Sequence, residues 1–391
     1  MNIARNSKFN IDVNFCKSKG SYLFDNRTQK KYLDFFGMYA SLPLGYNHKI
    51  FQSDQFKDEI SSVAPFKINN CEFTSNETMS FDQEFQQFAG DNYYTNFHYT
   101  CTGALAVESA IKVCIHRSGY RRPNVLSFRN SFHGINSFGA FITDHFWPVN
   151  KKLAGLPQDF STKIDCSLEK VEECLKNTFV TCVLVEPIQC SAGDIHHKKE
   201  FFHGLRSLCD KYNVPLVFDE IQVGFGGTGK LWFYQHLGVM PDIVVFGKKT
   251  QLSGIMVSER CSDIFAKDQI TRLEVTWDGD VIDMIRCKYI MKAYKKYNIL
   301  QNAHEKGQFL ISNLKNISGL LSVRGSGLIV AFSLRDRLAR DALVKGMYRN
   351  GLICNPTGDR SVRLRPNLAI SKDELEVAIN IINKTCGEIK C

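Results

Sequence analysis

The sequence predicts an α/β fold: a large lobe around a mostly parallel sheet, followed by a smaller α+β lobe. Three observations carry this expectation. The stretch SYLFDNRTQKKYLDF reads as two short strands joined at Asn26 to Gln29, a small hairpin near the start of the chain. From about residue 97 the pattern alternates strand and helix, as in a largely parallel sheet covered by helices. After Trp277 it changes to two long helical patterns and then to short strands.

Taken in order, the alternating part begins with FHYT as a strand and GALAVESAIKVCIH as a helix. NVLSF and TCVLVEPI are the next strands, and EFFHGLRSLCDKYN is the next helix. VPLVFDE and DIVVFG complete the series. The later part holds the helical patterns VIDMIRCKYIMKAYKKYN and LQNAHEKGQFLISNLKNI, then SGLIVAFSL, ALVKGMYRNG, VRLRP and a last helix from Lys372. No repeat or low-complexity linker interrupts the chain.

Composition narrows the function classes. The 391 residues, 44% of them hydrophobic, are enough to bury a sizeable core. The longest apolar runs fall far short of the roughly 18 to 20 residues that cross a bilayer. The opening MNIARNSKFNIDVNF lacks an apolar core followed by a small-residue cleavage site, so a cytoplasmic protein without membrane association is expected. Fourteen cysteines occur without a C-x-x-C pair or Cys/His ligand spacing, which fits reduced thiols and predicts no metal site. A net charge of +9, spread along the chain, does not point to nucleic acid.

The stretch LVFDEIQVGFGGTGKLWF resembles a phosphate loop at first sight. Gly224, Gly229 and Lys230 match that spacing, but Leu231 stands where a metal-binding hydroxyl is required. The glycines are instead expected to supply positive φ angles for a strand-to-helix passage, with Lys230 incidental. The chemistry falls on Asp219, which ends its strand at the carboxyl edge of the sheet, where ligands bind in such folds. A buried aspartate there needs a cationic partner. PDIVVFGKK brings an amine to the same edge, and Thr102, Gly103 and Ala104 open a helix whose exposed amides suit a phosphate. A phosphate site, a carboxylate for a cationic ring nitrogen and a lysine are the parts that hold pyridoxal 5'-phosphate as a Schiff base.

On these residues, together with YLDFFGMYASLPLGYNH, SFHG, EPIQ, FDEIQVGFGGTG, FGKKTQLSG, TWDGD and VRLRPNL, the chain resembles the class III aminotransferases. Within that family it is most similar to the L-lysine 6-aminotransferase group. The resemblance implies the fold-type I architecture: an N-terminal segment over residues 1–50, a large cofactor-binding domain with a seven-stranded sheet over 51–278, and a small domain over 279–391 against which the first segment packs. It implies Lys248 as the Schiff-base lysine, with Lys249 its nearest rival, and Asp219 as partner of the pyridinium nitrogen. Thr102, Gly103 and Ala104 would hold the phosphate, and Thr276 would reach it from the second subunit of a homodimer. Phe132 would stack on the ring and Gln222 would lie near its phenolic oxygen. His133 and Glu186 complete the cofactor positions, and Arg363 would take a substrate carboxylate.

Two substrate-facing positions depart from that group. Ile135 stands where an arginine grips the α-carboxylate, and Ser191 stands where a glutamate covers and uncovers the carboxylate-binding arginine. Arg365 and Arg129 are the nearby candidates to compensate. The expected activity is amino transfer from an amino acid or terminal amine to a 2-oxo acid or aldehyde, by a ping-pong mechanism with an altered amine pocket. The alternatives are another reaction of the same cofactor, such as an aminomutase or a decarboxylase, and a non-catalytic relative.

Overall fold

The computed structural model describes residues 9–70, 72–144, 160–266 and 273–389. The hairpin forms as expected from strands β1 (Tyr22–Asp25) and β2 (Lys30–Asp34). Asp25 fixes its turn by accepting hydrogen bonds from the backbone of Arg27 and Thr28 and from the Thr28 hydroxyl.

The central sheet contains β3 (Tyr94–Thr100), β4 (Val125–Phe128), β5 (Ser161–Ile164), β6 (Cys182–Val185), β9 (Leu216–Asp219), β10 (Ile243–Phe246) and β11 (Ser253–Ser258). Its order is β3-β11-β10-β9-β6-β4-β5, and only β11 runs against the rest. The sequences CVLV, LVFD and IVVF are buried at every position, because helices cover both faces of a parallel sheet. The sequence reading did not place β5 and β11, whose polar and glycine residues interrupt an apolar run.

The helix Gly103–Arg117 begins immediately after β3, with Thr102 as its N-cap. Ala106, Val107, Ala110, Ile111 and Cys114 form its buried face and pack with Val217, Val245 and Ile255 of the sheet. His116 and Arg117 in the last turn complement the helix dipole. This packing fixes the first turn of the helix at the edge where β4, β6, β9 and β10 end.

Two short strands, β7 (Ile188–Gln189) and β8 (Ile195–His196), pair beyond that edge and frame the segment Cys190–Asp194. The helices Val281–Lys296 and Ile299–Leu314 turn sharply at Asn298, whose φ of 49° is left-handed. A four-stranded antiparallel sheet follows, from β12 (Leu321–Ser326), β13 (Ile329–Ser333), β15 (Asn355–Thr357) and β16 (Ser361–Leu364). The helices Arg337–Arg349 and Lys372–Ile389 pack beside it. Strand β14 (Leu352–Ile353) leaves this part of the chain to pair with β2.

Among the described residues no helix is long and apolar enough to cross a membrane, and no cluster of potential metal ligands occurs. The twelve described cysteines are free thiols, and eight of them are buried.

Candidate active site

Four strand ends and one helix start converge on a cavity of about 270 Å³. Asp219 comes from the end of β9, Lys248 from the turn after β10, Glu186 from the residue after β6, and Phe132 and His133 from the loop after β4. Gly103 and Ala104 supply the wall at the helix N-terminus, while Ile135, Ser191 and Gln222 line the remainder. Gly103 packs so closely on Ile221 that an added Cβ would lie 2.8 Å from its Cδ1, which keeps this wall free of side chains.

Among the described residues, the side chain that meets the Asp219 carboxylate is an imidazole. His133 Nδ1 lies 2.9 Å from Asp219 Oδ2, and Ile221 N donates to Oδ1 at 3.2 Å. Glu220 turns away from the cavity and accepts the backbone N–H groups of Phe233 and Tyr234; burial raises its carboxyl to about 8. Burial, with Asp219 nearby, also raises the Glu186 carboxyl well above its ordinary range. Glu186 Oε1 accepts the Phe132 N–H at 2.8 Å and so holds the β4 loop in place.

The two lysines separate cleanly. Lys248 has a left-handed φ of 55° and lines the cavity; burial first and the Arg363 charge second lower its amine to about 8. Lys249 is buried away from the cavity, with Nζ donating to the Gln222 carbonyl at 2.7 Å. Burial, with the Lys248 charge beside it, lowers Lys249 to about 7. Its place is therefore that of an anchor for the segment that carries Gln222.

Arg363 and Arg365 alternate along β16 and its extension, so both side chains reach the same face. Each donates to Gln222 Oε1 at 3.4 Å. Arg365 is neutralised by Asp194, whose two oxygens lie 2.6 and 2.8 Å from Nη2. Arg363 has no carboxylate partner among the described residues; it donates to the Cys190 carbonyl at 3.3 Å, and its guanidinium lies 5.9 Å from the centre of the Tyr39 ring. Neither proposed substitute for the missing arginine at Ile135 is available. Arg365 is committed to Asp194, and Arg129 is a largely exposed side chain paired with Asp165 at 3.4 Å.

Thr102, Thr276 and Arg363 are not among the cavity-lining residues, and nor are Lys230 and the glycines of its loop. The Thr102 hydroxyl caps Leu105 N at 3.5 Å, at the exposed start of the helix. Thr276 is exposed, in a segment whose neighbours approach the Cys101 thiol, and does not line the cavity of its own chain. The glycine loop serves turning only in part: Gly226 and Gly229 take φ of 88°, whereas Gly224 and Gly227 are required because Trp232 and Lys249 crowd them. Lys230 is exposed and bonds the Gln235 carbonyl. Tyr39 and Asp194 are site residues that the sequence did not single out, and Arg365, read as a candidate for the substrate, is instead the partner of Asp194. For Arg365 the alternation in VRLR was the available signal.

The donor set fits pyridoxal 5'-phosphate. A helix start with little side chain suits its phosphate, a carboxylate and an amine line the same cavity, and His133 Nε2 is buried without a hydrogen-bond partner among the described residues. Comparison with known proteins agrees. The family described as aminotransferase class-III matches residues 3–386. The L-lysine-epsilon aminotransferase of Mycobacterium tuberculosis is 32% identical over 94% of this chain and 90% of its own length. That of Amycolatopsis lactamdurans is 31% identical, over 93% and 89%. The solved lysine aminotransferase from M. tuberculosis in the internal aldimine form superposes with a TM-score of 0.92, at 30% identity, over 100% of this chain and 97% of that one. The ornithine aminotransferase from Toxoplasma gondii, at 22% identity and a TM-score of 0.86, shares the fold. The chain belongs to the class III aminotransferases and is a pyridoxal 5'-phosphate-dependent enzyme of amino transfer.

Proposed function

We propose that this aminotransferase takes carboxylate-bearing substrates in both half-reactions, an amino acid as donor and a 2-oxo acid as acceptor, with Arg363 holding the carboxylate each time. The observation that supports this reading is the buried Arg363 guanidinium, which forms no ion pair with a carboxylate among the described residues and whose charge acts on Lys248. An unpaired buried cation favours an anionic ligand strongly. Ser191 supplies no charge that could satisfy it, and Ile135 offers the substrate an apolar contact instead of a second guanidinium.

The remaining residues take the following parts. Bound pyridoxal phosphate supplies a carbonyl for amine exchange and a ring that accepts electrons from the substrate carbon. The amides of Gly103 and Ala104, beside Thr102, hold its phosphate, and Phe132 covers one face of the ring. Asp219, oriented by His133, keeps a proton on the ring nitrogen. Gln222 lies on the phenolic side, tied to both arginines. Lys248 Nζ, once free and neutral, moves a proton from the substrate carbon. Thr276 of the partner subunit completes the phosphate site in a homodimer. In support, Thr276 lies between the exposed Val275 and Trp277, and the exposed Leu105 stands near the phosphate end of the cavity, so this face is apolar around one hydroxyl.

The test is a single-turnover experiment that follows the loss of cofactor absorbance with lysine, ornithine, glutamate, alanine and 1,5-diaminopentane. The reading expects the amino acids to react and the carboxylate-free diamine to lag by at least about tenfold. Equal rates for the diamine and the amino acids would exclude it.

A further inference from the structure

We infer that Tyr39 is a removable cover for Arg363: its ring face shields the guanidinium when no carboxylate is bound and swings aside when one enters. The inference rests on the reading that Arg363 takes the substrate carboxylate. It begins with the contrast between the two arginines. Arg365 is paired with Asp194, whereas Arg363, also buried on the same strand face, forms no ion pair among the described residues: the Cys190 carbonyl, Gln222 Oε1 and the Tyr39 ring face it, with the Asp194 and Arg365 charges nearby. A desolvated cation over an aromatic face gains less than one paired with a carboxylate, so the ring yields to the substrate's anion.

The segment that carries Tyr39 is built to let it move. Gly37, Met38, Tyr39 and Ala40 are consecutively left-handed, with φ of 54°, 48°, 60° and 69°. L residues adopt this conformation only when their surroundings impose it. The turn is clamped on both sides of its tip. Asp34 Oδ1 accepts the N–H groups of Phe36 and Gly37, both at 2.9 Å, the Arg365 N–H donates to the Phe35 carbonyl at 2.7 Å, and Gln251 Nε2 donates to the Ser41 carbonyl. Between the clamps, Met38 and Tyr39 are 37% and 53% exposed. The Tyr39 ring rests edge-on against Phe36 at 4.4 Å, and its hydroxyl makes no hydrogen bond among the described residues. The contact that Tyr39 makes with Arg363 is therefore the ring, 5.9 Å from its centre to the guanidinium, and not a hydrogen bond. The backbone of the tip is held by Ser41 N donating to the Gly37 carbonyl at 2.8 Å and Ser41 Oγ donating to the Met38 carbonyl at 2.7 Å, so the motion open to Tyr39 is rotation of its exposed side chain about its own bonds.

The experiment measures binding of glutarate, an unreactive dicarboxylate, to the loaded enzyme by calorimetry, in wild type, Tyr39→Leu, Tyr39→Phe and Arg363→Leu. Removal of the cover in Tyr39→Leu should tighten glutarate by about 3- to 10-fold, and Tyr39→Phe should restore wild-type affinity because the ring face is kept. In steady state, Tyr39→Leu should lower KM for a 2-oxo acid while kcat holds, without improving the reaction of 1,5-diaminopentane. Unchanged or weaker glutarate binding in Tyr39→Leu, or a Phe variant that behaves like the Leu variant, would overturn the cover. Undiminished glutarate binding in Arg363→Leu would instead overturn the assignment of Arg363 on which the cover depends, so the two failures are distinct.

Discussion

Lys248 and Lys249 are neighbours in the chain with opposite environments, and the difference supports the proposal that Lys248 is the reactive amine. The left-handed backbone at Lys248 directs its side chain into the cavity, while Lys249 spends its amine on a backbone carbonyl and steadies Gln222. Their lowered amines have the same principal cause, burial. For Lys248 this has a kinetic consequence. An amine accepts a proton only in its neutral form, so the step that uses Lys248 is full above about pH 8 and fades below it. A single-turnover pH profile should show a rate that falls about tenfold per unit on the acid side of that value. Because the Arg363 charge contributes to lowering Lys248, a variant without that charge should move the acid limb to higher pH. A profile flat between pH 6 and 9 would separate Lys248 from the limiting proton transfer.

At the scale of elements, the site depends on how the turn at residues 37–40 meets the end of β16. Gly37 is the position where this contact admits no side chain: an added Cβ would lie 2.4 Å from the Arg365 carbonyl oxygen, at a φ of 54°. Gly37→Ala should therefore destabilise the fold by roughly 2–4 kcal/mol, combining a left-handed alanine with a clash against backbone. Denaturant titration measures this directly, and a midpoint equal to wild type would show that the turn relaxes freely. The damage should reach Arg365 and Asp194 as well, since the same backbone carries both the clash and the buried ion pair. Breaking that pair would leave an uncompensated charge in the interior.

Over the whole molecule, the parts of the site that were legible in the sequence are those that a single element fixes. Asp219 and Lys248 follow strands whose apolar runs announce their carboxyl ends, and Gly103 and Ala104 open a helix whose apolar spacing is plain. The alternating strands were legible for the same reason, but β5 and β11, where neighbouring strands and not composition make the strand, were not, nor were the helices Asp54–Val63, Asn76–Ala89 and Leu168–Asn177. What could not be read depends on meetings of distant segments. His133 reaches Asp219 across 86 positions, Asp194 reaches Arg365 across 171, and Tyr39 lies over Arg363 from the far end of the chain. The resemblance implies a carboxylate-binding role for Arg363, and the packing adds that Arg365 and Arg129 are already paired while Arg363 forms no ion pair among the described residues, which supports the proposal.

The central claim, one arginine for the carboxylate of both donor and acceptor, is tested most directly by the steady-state kinetics of Arg363→Gln with glutamate and a 2-oxo acid varied in turn. Loss of a buried charge-assisted contact of about 3 kcal/mol predicts that kcat/KM falls on the order of 100-fold for each substrate, and to a similar extent. A fall confined to one half-reaction, or none in either, would contradict the account.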